Sequence, residues 1–172
     1  MTNKLFAILI ATVLALSCTA ALAATYAHED DIRFEYDDAS FAISMDDHTD
    51  DEDLIILDGK DAAWGKTFIR IHLAELNDGE TFPTMDEFTA MPGVRDLTQG
   101  DWNGFKNVFM YAVDNEDGST ENYFIAPVTD DDGEIEDVLT VNIGVSPIED
   151  ENAAMARDDQ ISAVLDSLKL DD

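Results

Sequence analysis

The side chains that could do chemistry here are histidines, carboxylates and a few aromatic residues in turn-like sequence. His28, His48 and His72 are dispersed along the chain, whereas zinc ligands commonly come in pairs a few residues apart. His28 and His48 are therefore expected as solvated side chains. His72 alternates with Arg70 on one strand and is expected on an exposed or partly covered sheet face. The 39 Asp and Glu residues are too many for an acid–base pair to be picked out by spacing. Two dense acidic loops, 46–53 (DDHTDDED) and 130–137 (DDDGEIED), suit a hard cation, which takes oxygen ligands. In the second loop Asp130, Asp132 and Glu134 are the candidate Ca²⁺ ligands. An EF-hand loop needs an acid five residues before its glycine, yet Val128 precedes Gly133 and Val113 precedes Gly118 at that distance. Hairpin turns are the favoured reading, with weak, unspecific cation binding over so many carboxylates.

Other motifs are missing. No Gly-rich phosphate loop of either common spacing occurs, and Gly144-Val145-Ser146-Pro147 lacks the second glycine of a nucleophile elbow. Trp64 and Trp102 lie in turn-like, glycine-containing sequence. With Arg70 and His72 they are the candidate surface for a ligand or partner. The remaining aromatic residues follow strand patterns and are expected in the core.

The charge balance narrows the partners. Nine Lys and Arg against 39 acids give a net charge of −30, which repels nucleic acid and anionic lipid. Hydrophobic residues at 45% of the 172 are too many for a disordered acidic tail, so one packed domain is expected. Basic protein partners remain open, and the chain is expected to be a monomer.

The N-terminus reads as an export signal. Lys4 precedes an apolar run, Leu5–Ser17, and Ala21-Leu22-Ala23 supplies the small residues of a cleavage site before Ala24. The run falls short of the ~20 residues that span a bilayer. Cleavage after Ala23 implies a periplasmic or secreted protein, with no transmembrane segment in the mature chain. It leaves 8 basic residues against 39 acids, or −31, since Lys4 is the charge removed. Cys18, the single cysteine, lies within the signal. Ala15-Leu16-Ser17-Cys18 resembles a lipobox and would make Cys18 a lipid anchor, although the usual leucine three residues before the cysteine is absent. Cleavage after Ala23 instead leaves a mature chain without disulfides or thiolate sites.

The elements that must position these residues follow. Residues 24–31 read as a flexible leader, and 32–172 as a single α+β domain. Ile32–Tyr36 and Phe41–Met45 alternate at period 2 around a hairpin-like turn, 37–40. Leu54–Leu57 is a buried strand. Thr67–Leu76 alternates with Ile69, Ile71 and Leu73 on one face, and Phe68, Arg70 and His72 on the other. Thr84 and Glu87 form a capping box for a short helix stopped at Pro92-Gly93. A meander follows over 105–113, 121–128 and 137–145, with Asp-Gly turns; Pro127 suggests a strand end or an edge. Ser146-Pro147-Ile148-Glu149 reads as a second helix start. The apolar stripe Ile161, Val164, Leu165 and Leu168 lies beyond it, in one helix or two divided near Arg157. The sum is an antiparallel sheet of about five to seven strands flanked by helices.

This arrangement resembles the PsbP-like superfamily, which includes DcrB-like bacterial envelope proteins. The resemblance is carried by IRFEYDDASFAISM, TFIRIHL, FPTMDEF, the turn Trp102-Asn103-Gly104, the meander, and the ending ISAVLDSLKL. It implies an α/β/α sandwich in which the closing helix feeds a last short strand, and a non-catalytic role with no cofactor. Asp46–Asp53 stands where the family often has Pro and Trp. The expected function is an exported, non-enzymatic accessory or binding domain of the cell envelope, for an envelope protein or small ligand. The alternatives are a calcium-dependent module and, with least support, a hydrolase using carboxylates.

Overall fold

A computed structural model describes residues 23–28, 32–49, 51–77, 79–130 and 132–170. Apart from Ala23, the expected signal sequence, with Cys18 in it, lies outside the described residues. Ten strands form two antiparallel sheets. The larger has seven strands in the order β3 (Phe41–His48), β4 (Glu52–Gly59), β5 (Thr67–Glu75), β9 (Ile135–Val145), β8 (Thr120–Thr129), β7 (Phe105–Asp114) and β6 (Val94–Trp102). The smaller has three: β1 (Ala23–His28), β2 (Ile32–Asp37) and β10 (Lys169–Leu170). Helix α1 spans Met85–Ala90 and α2 spans Glu151–Ser167. This is an α+β architecture.

The alternation along the strands decides what each face meets. Ile55, Leu57, Ile69, Ile71, Leu139 and Val141 are fully buried and share the inner face of the large sheet. Phe34 and Ile32 of β2, with Ile161, Val164 and Leu168 of α2, complete that core. Six aliphatic side chains of this size, each contributing about 1.5–3 kcal/mol on burial, make this layer the main source of stability. On the outer face α1 covers one half, where Phe88 packs against Phe109 and Tyr111 at ring separations of 4.6 and 5.4 Å. The capping box of α1 is complete: the Thr84 hydroxyl accepts from the Glu87 amide, and the Glu87 carboxylate accepts from the Thr84 amide.

Several expectations change. The turn 37–40 forms, with the Ser40 amide donating to the Asp37 carbonyl, but it does not close a hairpin. It passes the chain from the small sheet to the large one, because Phe34 and Phe41 on either side are both fully buried. Residues 24–28 of the expected leader, with Ala23 of the expected signal, form β1. They pair with β2 from Ala23↔Asp37 to His28↔Ile32, and Tyr26 stacks on Phe34 directly opposite. The last helix starts later than the Ser-Pro motif implies. Its N-cap is Asp150, whose carboxylate accepts from the Asn152 and Ala153 amides. Ser146 is held elsewhere: its amide donates to Lys66, and its carbonyl accepts from Arg157. That bond tucks Arg157 into an unbroken helix. Strand β6, unexpected in so polar a stretch, joins β7 through Asn103-Gly104. Both turn residues have positive φ, as a two-residue hairpin of this hand requires. The Asn103 side chain also donates to the carbonyls of Leu165 and Leu168, satisfying the end of α2.

Pro127 fits its strand because β7 pairs with β8 only as far as Ile125↔Phe109. Beyond that point β8 has β9 alone as its described neighbour, so no amide is needed on the other side.

Candidate functional site

The structure separates the four residues expected to form one surface. Trp64 closes a single 3₁₀ turn, Ala62–Trp64, and is buried against Phe41 at 5.7 Å. Trp102 stacks on Phe124 and Phe105 at the β6–β7 turn. Trp64 belongs to the inner core, and half-buried Trp102 packs against it. Arg70 and His72 stand on the outer face, where the Arg70 guanidinium lies 5.9 Å from the Phe68 ring and His72 is 3.0 Å from Glu52. The two tryptophans thus pack on the inner side of the sheet, and Arg70 and His72 stand on the other.

The acidic loop 130–137 is a hairpin turn. The Gly133 amide donates to the Asp130 carbonyl, and the Asp130 carboxylate accepts from the Glu134 amide. Asp130 thus closes the turn, while Asp132 and Glu134 are exposed.

Donor atoms converge instead where β1 crosses the beginning of β4 and the end of β3. In β3, Asp46 and His48 are two residues apart and face the same way; in β1, Tyr26 and His28 do the same. The β3–β4 register sets His48 opposite Asp53. His48 Nδ1 lies 2.6 Å from Asp53 Oδ1, and His48 Nε2 lies 2.7 Å from Asp46 Oδ1. The Tyr26 hydroxyl donates to the same Asp46 oxygen at 2.6 Å. The rings of His28 and His48 stack face to face, with centroids 3.4 Å apart and planes 3° from parallel. Ligating atoms of His28, His48 and Asp53 all lie within 4.8 Å of one another.

Electrostatics match this wiring. Burial pushes the Tyr26 hydroxyl well above its usual range, and the Asp46 carboxylate adds to the shift. Tyr26 in turn holds Asp46 below the usual carboxylate range, with His48 assisting. Burial alone would lower the His48 pKa, but its hydrogen bonds to Asp53 and Asp46 outweigh that and raise it. The corner therefore holds an imidazole between two carboxylates, which favour its protonated form.

Beside it opens a cleft of about 620 Å³. The paired ends of β4, β5 and β9 bring Glu52, Asp53, Glu75, Glu136 and Asp137 to its wall, with Asp51 and His28 at the rim. The Leu76 amide donates to the Glu136 carbonyl, and the Glu75 amide to the Asp51 carbonyl. These bonds fix the backbone from which the carboxylates project. Such a surface attracts cations of any size.

The sequence reading passed over His28 and His48 because each is isolated along the chain. The available signal was local: Tyr-x-His in 26–28 and Asp-x-His in 46–48 are period-2 pairs that set two polar groups on one strand face. Comparison with protein-family models, curated proteins and solved structures gives no match. Among the described residues no helix is long and apolar enough to cross a membrane.

Proposed function

We propose that this chain is an exported, non-enzymatic accessory domain of the cell envelope that binds a positively charged partner through its acidic cleft. The observation that carries the reading is the convergence of strand-end carboxylates on one concave surface. A basic segment of an envelope protein is the occupant of matching charge.

Helices on both faces of the large sheet, and α2 feeding the short strand β10, support placing the fold with the PsbP-like sandwiches. A calcium-dependent form of binding is the second reading, favoured by the carboxylates of the cleft. Affinity capture from envelope extract with the mature chain and with a Glu75→Lys/Glu136→Lys variant tests the proposal. The expected result is a basic partner that is released by salt and lost in the variant. Capture that the variant leaves intact, or no partner at any salt, overturns it. Repeating the capture with Ca²⁺ or chelator decides between the two readings.

A further inference from the structure

We propose that His28, His48 and Asp53 form a site for a divalent first-row transition ion of the zinc type. Two imidazole nitrogens and one carboxylate oxygen suit Zn²⁺, Cu²⁺ or Ni²⁺, whereas Ca²⁺ and Mg²⁺ take oxygen ligands. The spacing is close to what coordination needs. Around a tetrahedral ion with bonds of about 2.0–2.2 Å, donor atoms stand roughly 3.3 Å apart, and these three groups already lie within 4.8 Å of one another. The stacked His28 and His48 rings, 3.4 Å apart and 3° from parallel, must turn for their nitrogens to converge on the ion.

A second feature points the same way. A histidine that ligates through one nitrogen commonly gives its other N–H to a carboxylate, which fixes the ring and strengthens the ligand. His48 has that arrangement: Nδ1 faces Asp53 on the ligand side, and Nε2 faces Asp46, which the Tyr26 hydroxyl holds in place. Asp53 is only 7% exposed, and a buried carboxylate requires a cation or several donors. The groups facing it at ion-pair distance include the His48 imidazole. His28 and Asp53 both also line the cleft, so a fourth position opens to water or to a ligand there. The site joins β1 to β3 and β4 and does not depend on the cleft taking a protein partner.

Calorimetry with Zn²⁺ on the chelator-stripped chain, in about 0.15 M salt with Mg²⁺ in excess, tests the site. One saturable Zn²⁺ equivalent is expected. His48→Ala should weaken binding at least about 100-fold, and Asp46→Asn, which removes the outer carboxylate, about 10- to 100-fold. His28→Gln, at a partly exposed position, removes one ligand with the least threat to folding and should also weaken binding. His72→Gln and Asp130→Asn should leave it unchanged. Co²⁺ should give visible ligand-field absorption that is lost in His28→Gln. A chain that takes up Zn²⁺ only in proportion to its carboxylates, or that binds equally well in the folded His28→Gln variant, overturns the proposal. So does an NMR titration in which Zn²⁺ leaves the His28 and His48 ring signals unmoved.

Discussion

The two faces of the seven-stranded sheet come from the same strands and the same alternation, yet they are finished differently. The inner face is closed by the small sheet and α2, and its row of Ile, Leu and Val is dry. The outer face is covered by α1 over one half only. Across the remainder run Arg70, Asn142 and Tyr123, in register over three adjacent strands, and the row continues to Tyr111 at the edge of α1. Tyr111 and Tyr123 stack at 4.8 Å, and the Tyr123 hydroxyl and the Asn142 amide both donate to Glu121. The price of this polarity shows at Asn142, whose Oδ1 is buried without a partner. The inner face thus needs only volume and apolarity, while the outer face needs particular partners.

Four measurements sharpen that contrast. The largest effect is expected from Phe41→Ala on the inner face. It empties a fully buried site and should cost about 3–5 kcal/mol in denaturant unfolding; a loss under 1 kcal/mol would mean the inner face is not the dominant core. Next comes Gly144→Ala on the outer face. A Cβ there would meet the Phe68 ring at 2.1 Å, so the ring must move, at a cost of about 1–3 kcal/mol. An unchanged unfolding midpoint would show that Phe68 is free to swing away.

The third is a pH dependence. Tyr123, chiefly, holds the Glu121 carboxyl below its usual range, so ionised Glu121 favours the folded state. That contribution, about 1 kcal/mol for hydrogen bonds of this kind, is present above the ordinary glutamate pKa. It disappears as pH falls through the lowered folded value. Glu121→Gln should therefore be less stable than the native chain at neutral pH and converge on it only once the pH has fallen past the lowered value of the folded carboxyl. Parallel stability curves at all pH values would remove Glu121 from the account. The smallest effect is expected from Arg70→Ala. This exposed side chain touches Phe68 only at cation–π distance, and unfolding should shift by no more than about 0.5 kcal/mol. A larger loss would make the outer face a second core.

What the sequence made legible follows the same division. The alternation Ile69, Ile71, Leu73 against Phe68, Arg70, His72 appears in the structure as stated, because burial on one face imposes period 2 directly. The capping box at Thr84 and Glu87 was equally readable, since all its partners lie within four residues. Strand β6 was not, because Val94–Trp102 lies at the sheet edge with little to bury. β1 reads as a leader in sequence because it is short and mostly small residues. The division of β2 and β3 between two sheets could not be read from a turn that looks the same in either case. The histidine corner was hidden for a related reason. His28 and His48 meet only because two sheets cross, which no local spacing records.

The pairing of β10 with β2 joins residues 169–170 to 32–33, nearly the full described length apart. A chain made from its N-terminus can form β3, β4 and β5, and then the meander, through neighbouring contacts as each segment emerges. The small sheet cannot be completed until β10 has emerged, and such long-range closure is slow. Until then the inner face of the large sheet lacks α2 and β10. In that interval the protein carries exposed apolar strands and is most open to aggregation or to a chaperone. Closure of the core and completion of the small sheet are therefore one late event, which waits for α2 and β10.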